Sequence, residues 1–334
     1  MPIAYVTNFS SGTVSVIDTK TQSVIATTQV GSFPISLEFS PDGKLAYIVR
    51  TSGIVSVIDT KTHSVIATIQ VGSFPQSAKF SPDGKLAYVN NNDDATLSII
   101  DVKTHSVIAT VQVGVDQAFF FALTPDGKLA YVNTDEDETV SVIDTKTHSV
   151  IATIQVGEDS EFLAFAPDGK LAYVGNEGDN NISVIDVKTH SVIATVPVGD
   201  EPDFVAFSPD GKIAYVISEE DPLTVIDTKT HSVIATIQVG EDSEFLAFTP
   251  DGKLAYVGNE DDNNISVIDV KTHSVIATVQ VGLFPNSLAF TPDGKLAYIV
   301  NGNNTVSVID VKTHSVIATV SVELDPFFVA ITSS

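Results

Sequence analysis

One unit recurs from end to end of this chain: 334 residues divided by eight is 41.75, and eight copies fill the sequence. Nothing else constrains the fold as much, because a short repeat cannot bury an apolar face alone and must stack on its neighbours to make a core. Every unit carries four short apolar stretches in the same order. In the second unit they are Ser77 to Ser81, Leu86 to Asn90, Thr96 to Asp101 and Ser106 to Gly114. Val, Ile, Thr, Tyr and Phe fill them and turn residues bracket them, which is strand composition at strand length. No stretch has room for an ordinary helix.

Two connections are constant. Ser81-Pro82-Asp83-Gly84-Lys85 sets Pro second and Gly fourth, as a type I turn closing a hairpin requires, and Pro41, Pro125, Pro167, Pro209, Pro250 and Pro292 repeat it. Asp59-Thr60-Lys61-Thr62-His63-Ser64 is the other, present in every unit with Gln22 once replacing His. Its Asp is placed to accept backbone N–H bonds within its own turn. Tyr5, Tyr47, Tyr88, Tyr131, Tyr173, Tyr215, Tyr256 and Tyr298 are all the tyrosines, one per unit at one strand position, and read as core. The expected fold is all-β: a single eight-bladed β-propeller over residues 1–334, made of four-stranded antiparallel blades. Pairing the C-terminal strand, Pro326 to Thr332, with the Tyr5 strand closes the ring and hides the edges.

Tyr5-Val6-Thr7-Asn8, followed by Val14-Ser15-Val16-Ile17-Asp18, Val24-Ile25-Ala26-Thr27 and Phe39-Ser40-Pro41-Asp42-Gly43, resembles the YVTN-type propeller repeat of archaeal and bacterial surface-layer proteins over the whole chain. With the similarity to WD40 blades, it implies that the strand before Pro-Asp-Gly is innermost and the Val-Ile-Ala-Thr strand outermost. It also implies an extracellular or cell-surface setting. The Asn of the motif becomes Arg50, Thr134 and Ser218 in three units, and the small inner-strand residue becomes Phe120, Phe162, Phe204, Phe245 and Phe328 in five.

Alternate connections of an up-and-down blade emerge at opposite ends, so both constant turns share one face, the bottom, and the variable loops share the other, the top. The bottom turns hold 15 Asp and 15 Lys, leaving 27 acids and two bases, Arg50 and Lys79, to account for the whole net charge of −25. The negative field is therefore directional. It is also lopsided. Acids crowd Asp135-Glu136-Asp137-Glu138, Glu158-Asp159-Ser160-Glu161, Asp200-Glu201-Pro202-Asp203, Glu219-Glu220 and Glu241-Asp242-Ser243-Glu244, whereas Phe33, Phe74 and Phe284 mark a more apolar arc.

With 42 acids against 17 bases, nucleic acid and insertion into an anionic membrane are excluded as partners. No apolar run approaches the ~20 residues of a membrane span. No secretory signal opens the chain, since Met1-Pro2-Ile3-Ala4-Tyr5-Val6 already belongs to the repeat. Zero Cys removes thiolate chemistry. All seven His fall in bottom turns, away from any shared substrate, which argues against Ser-His catalysis, haem ligation and copper. The acidic loops lack EF-hand spacing, so no metal and no cofactor are expected.

The leading expectation is thus a monomeric, non-enzymatic binding or cell-surface scaffold whose top face recognises a protein or a small cationic ligand. The acids named above and Phe33, Phe74 and Phe284 are its candidate contacts. Phe120, Phe162, Phe204, Phe245 and Phe328 either fill space between blades or add cation–π attraction at the channel mouth. A designed or recently amplified array without natural function, and a carboxylate-dependent hydrolase or lyase in the central mouth, are the alternatives.

Overall fold

In the computed structural model, which describes residues 2–115, 117–134, 138–219 and 222–333, 32 strands form eight separate four-stranded antiparallel sheets. Blade 1 comprises Pro34–Phe39, Leu45–Arg50, Ile54–Asp59 and Ser64–Gln70, and blades 2 to 7 repeat that order along the chain. Blade 8 takes its innermost strand, Pro326–Ile331, from the C-terminus and the other three from Ile3–Asn8, Thr13–Asp18 and Ser23–Gln29. Tyr5 lies opposite Ala330 and Val6 opposite Val329, so the ring closes by strand pairing as expected.

Burial follows position across the blade. The two middle strands lie between neighbouring blades and are buried on both faces, which is why LAYIVR and IVSVID read as nearly continuous apolar runs. The outermost strand faces a neighbour on one side only and alternates. Its pairing slips by one residue after Val57, leaving Ile66 unpaired and half exposed. Such a bulge twists the outer edge away from edge-to-edge pairing. The innermost strands contact one another in sequence around the axis, from Pro34–Phe39 to Pro326–Ile331 and back.

The bottom turns form as their residues dictate. Gly43 adopts φ 68° and donates its N–H to the Ser40 carbonyl at 2.7 Å, and Lys44 Nζ meets Asp42 Oδ2 at 2.8 Å. Asp59 Oδ1 accepts the N–H groups of Lys61 and Thr62. All eight tyrosines are fully buried, as core residues should be. Their hydroxyls have a further role that the repeat pattern did not disclose. Tyr5 reaches His63 Nδ1 of the next blade at 2.7 Å, and Tyr47, Tyr131, Tyr173, Tyr215 and Tyr256 reach His105, His190, His231, His273 and His314 in the same way. Tyr298 meets Gln22 Oε1 of blade 8 at 2.6 Å, where Gln22 replaces the His. Burial pushes these phenols up, Tyr298 to about 12, and pushes the His63 imidazole down.

A candidate active site at the top mouth

Two tiers of side chains surround the upper opening. The lower tier is the second residue of each innermost strand. Blades 4, 5 and 6 place Glu161, Asp203 and Glu244 there, and the opposite blades 8, 1 and 2 place Phe327, Ile35 and Gln76. The mouth is therefore acidic on one side and largely apolar on the other.

The upper tier is a loop residue held in the left-handed backbone region although it is not glycine. Phe33, Phe74, Asp159, Glu201, Asp242, Phe284 and Asp325 have φ between 48° and 59°. That conformation costs an L-residue about 1–2 kcal/mol. Each carbonyl accepts an N–H from the neighbouring loop, Glu260 to Asp242 at 2.6 Å and Glu177 to Asp159 at 2.9 Å for example, and this bond holds the strained residue in place. The same pose recurs at His63, His105 and the other bottom-turn residues, so it marks a tight turn of the repeat on both faces. Acids occupy it in blades 4, 5, 6 and 8, and exposed phenylalanines in blades 1, 2 and 7.

The acidic side is a continuous network. Carboxylate oxygens of Glu161, Glu177 and Asp203 lie within 4.8 Å of one another, and so do those of Asp242, Glu244 and Glu260. Asp203 is pushed up to about 6 by desolvation and then by the charges of Glu177, Glu219, Glu201 and Asp242. Glu244 is pushed up to about 7 by desolvation and then by Glu260, Asp242 and Asp203. Both side chains reach solvent, yet the concave mouth crowds them with protein and like charge, and both disfavour the ionised form. Asp242 and Glu260 are raised for the same reasons, and Glu219 is raised by sharing a hydrogen bond with Glu201. A cleft of about 760 Å³ lined by Glu219, Glu241, Asp242, Asp261 and Asp262 opens between blades 5 and 6. Chemically, the arc can hold a hard cation or carry protons at neutral pH.

The inner-strand phenylalanines fill space. Phe162 is 5% exposed, and Phe120, Phe204, Phe245 and Phe328 pack against the interblade cores. The rings of Phe162 and Phe245 occupy the volume that a Cβ on Gly175 or Gly258 would need. Of the other expected contacts, Glu158 and Glu241 anchor their loops through backbone N–H bonds to Asp179 and Asp262. Glu138 and Asp200 lie in top-face loops. Asp135, Glu136, Asp137 and Glu220 lie outside the described residues. Glu177 and Glu260 complete the two carboxylate groups but were not among the expected contacts. Counting register from the motif Asn, one residue before each, is the signal that finds them.

A family model described as the Cytochrome D1 heme domain matches residues 2–116, 86–205 and 203–286. Among solved structures, a dihydro-heme d1 dehydrogenase, NirN, in complex with DHE resembles the chain with a TM-score of 0.84 at 18% identity, over 98% of this chain and 74% of that one. Hydrazine synthase of Kuenenia stuttgartiensis resembles it with a TM-score of 0.68 at 24% identity, over 83% of this chain and 95% of that one. At these identities the two structures speak for the fold. No curated protein matches the chain.

The family match overturns two expectations, that of a non-enzymatic scaffold and that of a chain without enzymatic character. Both rested on the missing catalytic His and on the charge of variable loops. A fold hosts many functions, so the charge of its loops alone is a weak guide to the class of function. Neither a surface-layer origin nor a constructed array without natural function finds support in the matches.

Proposed function

This chain belongs to the cytochrome D1 heme domain family, and from that premise we propose that its top mouth is the active site of an enzyme acting on a flat, tetrapyrrole-like substrate by proton transfer to and from protein carboxyls. The observation that carries this reading is the pair Asp203 and Glu244, set at one register position in adjacent blades with pKa values raised to about 6 and about 7. A proton donor and acceptor poised near neutrality is what general acid–base catalysis requires. Glu244 donates its proton to a basic atom of the substrate, and ionised Asp203 receives one in return. The apolar side of the mouth, where Phe327 is exposed, is a seat for the substrate's flat face. The name of the dehydrogenase that shares the fold supports the substrate class.

An iron-ligated haem does not fit the residues present. Haem iron takes axial His, Cys, Met or Tyr. There is no Cys and one Met, at position 1, every Tyr is buried in the core, and all seven His stand in bottom turns. Six of those His carry their Nδ1 on a tyrosine hydroxyl. No step is therefore assigned to an iron centre.

Absorbance titrations with metal-free protoporphyrin and with its iron complex, at pH 6 and pH 8, test the reading. Both macrocycles should bind with similar affinity and more tightly at pH 6, where the acidic arc is less charged. Glu244→Gln and Asp203→Asn should flatten that pH dependence. Failure of both macrocycles to bind, or a strong preference for the iron form with the spectrum of an axially ligated haem, overturns it.

A further inference from the structure

The fifth residue of each innermost strand sets two blades apart from the rest. Six blades carry alanine there, Ala122, Ala164, Ala206, Ala247, Ala289 and Ala330, and each is partly exposed. No strand lies inside the innermost one, so what these residues expose faces the central channel. Blades 1 and 2 break the pattern with Glu38 and Lys79. The two stand at one register position of adjacent blades, opposite Tyr47 and Tyr88. Each lies three residues ahead of its bottom turn, at Pro41 or Pro82, and therefore near the lower opening of the channel. The frame does not demand these charges, since alanine serves in six other blades.

Their ion pair is loose. Lys79 Nζ lies 3.4 Å from Glu38 Oε2, whereas the seven pairs of the bottom turns close at 2.6 to 2.9 Å. Neither side chain makes another hydrogen bond among the described residues, so Glu38 Oε1 and two of the three ammonium protons remain available. The Lys79 side chain is 45% exposed, against 78 to 80% for the paired turn lysines. The channel wall thus takes part of the hydration from both charges, and a charge so placed gains more from a partner than one in open water.

We infer that Glu38 and Lys79 form a zwitterion site at the lower end of the channel, which takes a free α-amino acid with an apolar side chain. The ligand ammonium donates to the Glu38 carboxylate and Lys79 donates to the ligand carboxylate, so four charges alternate in sign around a square. The neighbouring alanines leave room for the side chain and offer it an apolar wall. Net charge favours the same class. A chain at −25 repels anions, and the acidic arc of the top mouth draws cations to the other end, whereas a zwitterion carries no net charge for either to act on. The site lies at the opposite end of the channel from the proton-transfer arc and stands without that reading.

Calorimetry of the full chain with L-leucine, N-acetyl-L-leucine and L-leucinamide tests the inference. Leucine should bind one to one and about tenfold or more tighter than either control, since the first lacks the ammonium and the second the carboxylate. Glu38→Ala combined with Lys79→Ala installs the residue of the other six blades, and it should unfold cooperatively while losing about tenfold or more in affinity. Exchanging the charges, Glu38→Lys with Lys79→Glu, keeps the alternation for a ligand turned around, so it should bind leucine more tightly than the double alanine. A pair that served packing alone would not show that recovery. Glu244→Gln should leave leucine affinity unchanged, which separates this site from the top mouth. No leucine binding, equal binding of leucine and N-acetyl-leucine, an affinity unaltered in the double alanine, an exchange no better than the double alanine, or loss of binding on Glu244→Gln overturns the inference.

Discussion

The hydroxyl of Tyr5 lies 2.7 Å from Nδ1 of His63, a residue 58 positions later in the next blade. Because the phenol is buried in one blade and the imidazole ends a turn of the following one, the bond ties the blades together below their apolar contact. Blades 2 and 3 lack the tie, since His148 Nδ1 has no partner. Replacing His190 by Ala is expected to cost about 1 kcal/mol in urea unfolding, the net worth of such a bond. The same change at His148 should cost clearly less. Equal losses would show that the imidazoles act by packing alone.

Acidification should stabilise the fold through the mouth and weaken it through the turns. Glu244, raised from 4.5 to about 7, and Asp203, raised from 3.8 to about 6, bind protons more tightly folded than unfolded. Their contribution is fully present below pH 3.8 to 4.5 and is lost as pH rises through 6 to 7. Asp42 is held down to about 2 by Lys44 and Ser40, so its contribution is present above 3.8 and lost as pH falls toward 2. The Tm should therefore be higher near pH 5 than near pH 8, and Glu244→Gln should shrink that difference by raising the value at pH 8.

A methyl group added at Gly258 has to displace the Phe245 ring. Gly258→Ala should destabilise by about 1–3 kcal/mol, the range for overpacking. Combined with Phe245→Ser, the residue type at Ser36, Ser77 and Ser287, the alanine should cost much less. A double-mutant cycle with no coupling would show that the ring moves aside freely.

Deleting residues 326 to 334 removes the innermost strand of blade 8 and leaves Ile3–Asn8 unpaired along one edge. The truncated chain should elute as oligomers and lose its sharp thermal transition, because an open apolar edge recruits other chains. A monomer with unchanged Tm would mean the ring does not depend on that closure.

Much of this molecule was readable from spacing. Repeats fixed the number of blades, Pro and Gly fixed the bottom turns, and one Tyr per unit marked the core. The bond between Tyr5 and His63 was hidden because it joins two units, while the comparison of copies reveals only what lies within one. Glu161, Asp203 and Glu244 were visible as acids, but their common register emerged only when the innermost strands were set around an axis. The functional class was misjudged for a different reason. The family match spans strands and loops together over residues 2–286, whereas the inference of a scaffold was drawn from loop charge and from histidines that serve as ties.

At the rim, the left-handed residue holds its loop with a main-chain carbonyl, which every amino acid except for its side chain supplies alike. Phe33 and Asp242 thus share one backbone pose while presenting opposite chemistry to the opening. Each sector can therefore exchange its recognition group by a single codon change with no repair elsewhere, so ligand preference in such rings should diverge much faster than their architecture.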